Sequence, residues 1–430
     1  HADFVSGSRE LAARTHAHFY LSDEGNAPWK YAFAAASGAT LVRDGDTFMV
    51  GNIRVRVLHT PGHTPEHIAF VVTDTASASV PMGVFTGDFV FVGDVGRPDL
   101  LERAAKIEGT MVAGARTLYR SLQNFKQLPD YLQIWPGHGA GSACGKSLGA
   151  IPSTTIGYEK ITNWGLANLG EDEFVAQVLA GQPEPPVYFA EMKRINMEGP
   201  RLLHGFRRPE RLTEDDLVAL VQSEAMVVDT RPWSEFAVGH VPGTINIPLN
   251  KSFTTWAGWL VPYDRDFHLI VDDRCTDCLD DAVRDLAMIG LDRVAGFFGS
   301  DAIATLATSG AIEAVPQIAA GALRAVLASG SAAVVDVRGE AEWNAGHLEG
   351  AVHIPLGDLA AGLSPLPDTR TIVLQCRSGA RSAIATSLLR ARGVRNAVNL
   401  VGGIEALRAA GYPLVRASGA RPPRETALVA

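Results

Sequence analysis

The sequence predicts an α/β protein of three domains, and three observations carry that prediction. Over the first 200 residues, short β-rich runs end repeatedly in Gly, His or Asp, which sets polar side chains at strand ends. Further along, apolar strands alternate with helical stretches such as Ala383 to Arg392, the pattern of a parallel sheet covered by helices. That second pattern occurs twice. Val227-Val228-Asp229-Thr230-Arg231, Gly239-His240-Val241-Pro242-Gly243 and Asn246-Ile247-Pro248-Leu249 return as Val334-Val335-Asp336-Val337-Arg338, Gly346-His347-Leu348-Glu349-Gly350 and His353-Ile354-Pro355-Leu356, at a constant offset of 107 residues. A period this long marks duplicated domains rather than a solenoid.

In chain order, residues 1–200 form the first domain, with Ile53-Arg54-Val55-Arg56-Val57-Leu58 and Val84-Phe85-Thr86 as representative strands. After Pro183-Glu184-Pro185-Pro186 the stretch to Arg208-Pro209 reads as a helix and linker. The duplicated units are expected at 206–305 and 315–418, and Arg421-Pro422-Pro423-Arg424 opens a loose tail.

Bulk properties narrow the function. At ~100–200 residues per domain, 430 residues suit three cores. With 47% hydrophobic and 20% charged residues the composition is that of a globular protein. A formal net charge of -9 and the lack of a basic stripe argue against nucleic-acid binding. No apolar run approaches the ~20 residues that span a bilayer, so a membrane protein is not expected. Four cysteines are too few for a disulfide scaffold, which makes a reducing cytoplasm the expected location.

Within the first domain, His1-Ala2-Asp3, Thr60-Pro61-Gly62-His63-Thr64, Thr86-Gly87-Asp88 and Pro136-Gly137-His138-Gly139 each follow a strand or stand at the start of the chain. A single His at a strand end is ordinarily a hydrogen-bonded structural residue; several in this order suggest a metal centre. Together they resemble the metallo-β-lactamase superfamily over residues 1–200, which implies an αββα sandwich. By that resemblance His1-Ala2-Asp3 matches the second His, the next residue and the Asp of an H-x-H-x-D-H motif, so the first His would lie two residues upstream and N-terminal strands of the fold would precede His1. Phe4 stands where dinuclear zinc hydrolases of the superfamily place a second-metal His. The resemblance therefore implies one metal, with the upstream His, His63 and Asp88 as a 2-His-1-carboxylate face suited to Fe(II) and O2, zinc being the alternative. His1, Asp3 and His138 would orient ligands or waters. Phe91-Val92-Gly93-Asp94-Val95-Gly96-Arg97-Pro98-Asp99-Leu100 and Gly139-Ala140-Gly141-Ser142-Ala143-Cys144-Gly145-Lys146 resemble bacterial persulfide dioxygenases with fused rhodanese domains. Arg97 could bind the carboxylate of a thiol carrier or pair with Asp94 or Asp99. Cys144 could contact sulfur or be a small packed residue.

In the last unit Thr371-Ile372-Val373-Leu374-Gln375 reads as a strand, Cys376-Arg377-Ser378-Gly379-Ala380-Arg381 as a tight loop, and Ser382 onward as a helix. Backbone N–H groups at the helix start favour a thiolate or persulfide anion at Cys376, with Arg377 and Arg381 adding charge. The loop, with Asp336, Arg338, Glu342-Trp343 and Gly346-His347, resembles single-domain rhodaneses. That implies Cys376 as the sulfur carrier, with the amides of Arg377, Ser378, Gly379, Ala380 and Arg381 around its outer sulfur and Asp336 and Arg338 structural. Aligned without gaps from His268 opposite Thr371 to Gly290 opposite Gly393, the first unit has Asp273 opposite Cys376 and should not transfer sulfur; packing or docking is its expected role. Its Cys275 and Cys278 form a lone C-x-x-C, read as exposed loop cysteines before a redox pair; zinc would need a second pair.

The resemblance implies oxidation of a thiol persulfide by O2 to sulfite at Fe(II), with Cys376 exchanging sulfane sulfur among thiols, sulfite and thiosulfate, in a homo-oligomer. The competing enzyme reading is thioester hydrolysis of the hydroxyacyl-glutathione type at two zincs, which Phe4 opposes. A persulfide-binding scaffold or sensor would require both the metal and Cys376 to be inert.

Overall fold

The computed structural model describes residues 4–103, 108–140, 142, 144–146, 148–182, 185–186, 188–362, 366 and 370–416. His1 and Asp3 lie outside the described residues. The chain divides into two compact units, up to Gly205 and from Phe206 onward. Among the described residues no helix is long and apolar enough to cross a membrane.

The first unit is built on a six-stranded sheet ordered Thr47–Val50, Ile53–His59, Ile68–Asp74, Gly83–Gly87, Gln133–Pro136 and Thr154–Thr155. The first four strands are antiparallel; Gly83–Gly87 and Gln133–Pro136 run parallel. In Ile53–His59 apolar residues alternate with Arg54 and Arg56, and Val57 is fully buried, as the period-2 pattern requires. Tyr20–Ser22 and Thr40–Val42 form a separate parallel pair. Helix Thr110–Phe125 buries Ala115, Leu118, Leu122 and Phe125, a stripe at helical spacing that meets Val71, Val84 and Ile134 of the sheet. Two strand ends on this sheet, after His59 and after Gly87, lead directly into His63 and Asp88.

The second unit holds two parallel five-stranded sheets of the same topology. One is ordered Ile245–Asn246, Met226–Asp229, Phe267–Val271, Val294–Gly299 and Glu210–Arg211; the other is ordered Val352–His353, Ala332–Asp336, Thr371–Gln375, Ala397–Leu400 and Gln317–Ile318. The duplicated Asp and Arg have one structural job. Arg338 forks onto Asp336 (2.9 and 2.6 Å) and reaches the Gly346 carbonyl, and Arg231 does the same with Asp229 and Gly239. Both pairs are buried, and each ties its strand end to the loop that crosses it.

Strand register corrects the gapless alignment. Asp229 pairs with Ile270, and its repeat mate Asp336 pairs with Gln375. The residue that follows each partner is Val271 in one sheet and Cys376 in the other, so Val271, not Asp273, holds the place of the sulfur-carrying cysteine. Counted from the residue after each paired partner, residues 271–277 run to helix Cys278–Met288, whereas residues 376–379 suffice before helix Ala380–Ala391. Alignment without gaps absorbed this longer connection into the strand. Asp273 instead accepts the Asp301 N–H (3.0 Å) and the Ser300 hydroxyl at the start of helix Ser300–Thr308.

The two sheets' helices pack together. Helix Ala380–Ala391 is buried continuously from Ser382 to Leu389, and the Asn246 N–H donates to Ser387 Oγ at 2.9 Å. Glu313, between the two sheets in sequence, pairs with Arg390 and Arg395. The unit without a cysteine at the strand end thus covers the helix that starts beside Cys376.

Candidate functional site

His63, Asp88 and His138 come together in the first unit although 75 residues of sequence separate the outermost two. His63 Nδ1 lies 3.0 Å from the Arg97 carbonyl oxygen, which can only accept, so Nδ1 carries the proton and Nε2 keeps its lone pair. Nε2 is 3.5 Å from Asp88 Oδ2, while His138 Nδ1 is 2.6 Å from Asp88 Oδ1. The carboxylate is therefore held between two imidazoles. Burial pushes the Asp88 carboxyl up, but the His138 hydrogen bond and the charges of His63 and His138 outweigh it and bring it down to about 2. Burial lowers the His63 ring, which favours the neutral form that binds metal.

Backbone details set Asp88 in place. A Cβ on Gly96 would meet the Asp88 carbonyl oxygen at 1.9 Å, so only glycine lets the loop from Phe89 to Arg97 fold back over it. His67 completes the arrangement, and sequence reasoning missed it. The Asp88 N–H donates to His67 Nε2 at 3.0 Å, which leaves Nδ1 to donate to Thr60 Oγ1 at 2.8 Å. Burial lowers this ring to about 3, so it stays neutral. Its position four residues after His63 was the available signal.

His63 and Asp88 open on a cavity of about 510 Å3 whose walls include Trp29, Tyr31, Trp135 and Phe189. Two charged residues of this wall were also missed. Glu66 Oε2 is buried and, among the described residues, has no hydrogen-bond partner; burial raises its carboxyl. The Lys193 ammonium lies 3.4 Å from the Trp29 ring centroid, and burial lowers it to about 8.

For two residues on this side the sequence left two readings open. Arg97 takes the ion-pair one: it is fully buried and forks onto Asp99 at 2.9 and 2.7 Å. Asp94 goes elsewhere, accepting from the Trp164 ring N–H and the Lys146 N–H. Cys144 is 1% exposed, lies off the cavity wall and donates its N–H to Ser142 Oγ. That burial is the packed-residue alternative of the sequence reading.

Whether the residues fit a metal can be judged from the donor set. A neutral imidazole lone pair facing a low-pKa carboxylate, behind a buried hydrogen-bonded shell, suits a divalent cation. Among the described residues, however, no group of three or more His, Cys, Asp or Glu side chains closes around one ion. His63 and Asp88 supply two donors.

In the last unit Cys376 follows strand Thr371–Gln375 and is 1% exposed. Its Sγ receives the Gly379 N–H at 3.2 Å, and the Ser382 hydroxyl oxygen lies 3.5 Å from it with a shorter partner in Asn399 Oδ1 at 2.7 Å. Gly379 (φ +98) caps the twelve-residue helix behind it. The Cys376 carbonyl accepts the Ile404 N–H at 2.8 Å, an approach that needs Gly403 (φ +54), where a Cβ would lie 2.3 Å from that oxygen. Ser378 is exposed, and Ala380 lines a 310 Å3 cavity shared with Trp233 and Trp256 of the preceding sheet. Both loop arginines are also held by carboxylates: Arg381 by Glu342 at 2.6 and 2.7 Å, and Arg377 by Glu405 at 2.8 Å. Burial lowers Arg381, while Glu342 and then the charge of Cys376 raise it, so its guanidinium still acts on the sulfur. Cys275 and Cys278 are not separate loop thiols but a disulfide.

The rhodanese-like domain family matches residues 213–297 and 319–410. A metallo-beta-lactamase from Staphylococcus aureus subsp. aureus COL has 45% sequence identity and a TM-score of 0.62, over 70% of this chain and 82% of that one. A hydroxyacylglutathione hydrolase of Rhodopseudomonas palustris is 29% identical over 197 residues, 46% of this chain and 64% of its own length. The probable adenylyltransferase/sulfurtransferase MoeZ of Mycobacterium tuberculosis is 45% identical over 76 residues, 17% of this chain and 19% of that protein. The chain spans 39% of the length of the first curated relatives it matches. A metallo-β-lactamase fold followed by two rhodanese-like domains is thus the architecture, and the Staphylococcus aureus likeness shows that the chain belongs to the metallo-β-lactamase family.

Proposed function

We propose that the first unit oxidises low-molecular-weight thiol persulfides with O2 at a single Fe(II) and that Cys376 carries sulfane sulfur, together serving sulfide detoxification in a reducing cytoplasm. The observation that carries the first half is the His63 tautomer: Nδ1–H fixed on the Arg97 carbonyl and Nε2 free toward Asp88. When bound, iron would supply open positions for the persulfide sulfur and O2. His63 and Asp88 would hold it with one further donor; His138 would hold the Asp88 carboxylate, and His1 and Asp3 keep the orienting role that the sequence suggests. The aromatic wall would exclude water from the carrier, and Glu66 and Lys193 would meet the carrier's polar groups in place of Arg97. The balance is R–S–SH + O2 + H2O → R–SH + SO3²⁻ + 2 H⁺, in which sulfane sulfur loses four electrons to O2.

The rhodanese-like match supports sulfur transfer in the last unit. There the Gly379 N–H and the Ser382 hydroxyl, both aimed at Sγ, would stabilise the anion that leaves or arrives. Sulfite attacking the outer sulfur of a Cys376 persulfide gives thiosulfate and returns the thiolate. The likeness to the hydroxyacylglutathione hydrolase favours a second reading, thioester hydrolysis at zinc. One experiment separates them: metal content after anaerobic purification, with O2 uptake on glutathione or coenzyme A persulfide. Asp88→Ala should lose most bound iron and all persulfide-dependent uptake. Full uptake in that variant, or two zincs with thioesterase activity in the parent, would refute the iron reading. As a riskier corollary, Phe4→His should gain binding of a second metal.

A further inference from the structure

The disulfide Cys275–Cys278 stands where the other rhodanese-like sheet has its sulfur loop. Both connections leave the end of the strand paired with the duplicated Asp and enter a helix, but the first is three residues longer and places its two cysteines just before and at the start of helix Cys278–Met288. Both cysteines are partly exposed. The loop does not depend on the bond for its shape. Arg274 binds Asp272 at 2.8 Å and also Glu235, and Asp273 is tied to the Ser300 hydroxyl and the Asp301 N–H. A bond that encloses only Thr276 and Asp277 also constrains the unfolded chain least of all. In a reducing compartment, disulfides of this kind are transient and redox-active rather than structural.

The number of thiols decides what such a loop can do. A lone cysteine such as Cys376 can store sulfane sulfur as Cys–S–SH, since no neighbouring thiol attacks it. A vicinal pair cannot store it. Once one cysteine carries the outer sulfur, the other reaches the inner sulfur and expels hydrosulfide.

We propose that Cys275 and Cys278 form a sulfane-sulfur reductase site, which takes the outer sulfur of a thiol persulfide and releases it as hydrosulfide. In the first step one thiolate attacks the outer sulfur of R–S–SH; that S–S bond breaks, R–SH leaves, and a cysteine persulfide forms. In the second, the partner thiolate attacks the inner sulfur and HS⁻ departs as the Cys275–Cys278 bond closes. The two electrons lost by the thiols reduce sulfane sulfur to sulfide. Two equivalents of a low-molecular-weight thiol then reopen the bond by exchange and leave as their own disulfide. This activity is independent of the iron reading, because no oxygen is involved.

The test uses the full chain with Cys376→Ser, reduced with dithiothreitol, desalted and mixed with glutathione persulfide under anaerobic conditions. The chain should release about one hydrosulfide above a Cys275→Ser/Cys278→Ser control in the same background, which retains Cys144, and should end lighter by two hydrogens. Each single variant should lose the burst and keep an extra sulfur on its remaining thiol. Release no greater than in the control would overturn the proposal. So would a stable persulfide on the intact pair, or a bond that dithiothreitol opens only when circular dichroism shows unfolding.

Discussion

Replacing His67 by Leu tests the hydrogen-bond relay that positions Asp88. The ring bridges the Asp88 N–H at 3.0 Å and Thr60 Oγ1 at 2.8 Å, at residues that are 3% and 1% exposed. Leucine keeps an apolar body near Phe89 but removes both contacts. Each buried group left unpaired costs about 1–3 kcal/mol, so the unit should lose about 2–5 kcal/mol after relaxation. For a unit of this size a loss of about 3 kcal/mol lowers Tm by roughly 6–12 °C. Because Asp88 loses its backbone anchor, affinity for the proposed metal should also fall by about 10–100-fold. Differential scanning calorimetry and a chelator competition titration read the two effects separately. His67→Gln, whose amide can still accept from the Asp88 N–H, should recover part of each. A Tm within a degree of the parent together with unchanged metal affinity would refute the relay.

On the persulfide-oxidation reading proposed above, Cys376→Ser should leave O2 uptake nearly intact while thiosulfate formation falls by on the order of 10³-fold and sulfite accumulates, as ion chromatography would show. If that variant stopped O2 uptake, Cys376 would be delivering substrate and the order of steps would reverse. The converse lesion, His63→Ala, should stop O2 uptake yet preserve thiosulfate formation from added sulfite and persulfide. The pH dependence of stability has a source in His240, which burial lowers to about 4. Its folded pKa is below the unfolded value, so its contribution is complete above about 6.5 and is lost as pH falls, at up to about 1.4 kcal/mol per pH unit until the folded form also protonates near 4. His240→Phe, stacked on Phe236 as the imidazole is at 4.0 Å, should flatten urea unfolding midpoints between those limits; an unchanged slope would exclude His240 as the cause.

What could be read from the sequence was local. The Cys376 loop occupies one contiguous strand, turn and helix start, so its chemistry is written within six residues, and the duplicated Asp and Arg are two residues apart. What could not be read depends on partners distant in sequence. His67 matters because it accepts from an N–H that is 21 residues away. Asp94 was free to pair with Arg97 on paper, but Trp164 and Lys146, brought in by later helices and loops, take both its oxygens. Lys193 reaches the cavity from a helix that begins at Phe189, far from the histidines. The extra residues before helix Cys278–Met288 were hidden for a different reason. Helix and strand patterns both tolerate a small shift, and only the ladder from Asp229 to Ile270 fixes which residue ends the strand.

The paired arginines alter the account of sulfur binding at Cys376. A carboxylate partner offsets part of each guanidinium's charge, and both loop arginines have one, although Arg381 still interacts with the charge of Cys376. Arg377 is largely exposed, so solvent screens its pair with Glu405, which contributes little. The groups left to hold an anion at Sγ are the Gly379 N–H, the Ser382 hydroxyl and the start of helix Ala380–Ala391. Ser382 is itself fixed by donating to Asn399 Oδ1 at 2.7 Å, which points its oxygen at Sγ but commits its proton elsewhere. A persulfide arriving at Cys376 must therefore compete with Asn399 for that proton, while the amide needs no rearrangement. The Gly379 N–H is then the fixed donor of the site, and the close approach of Gly403 to the Cys376 carbonyl holds the loop that presents it.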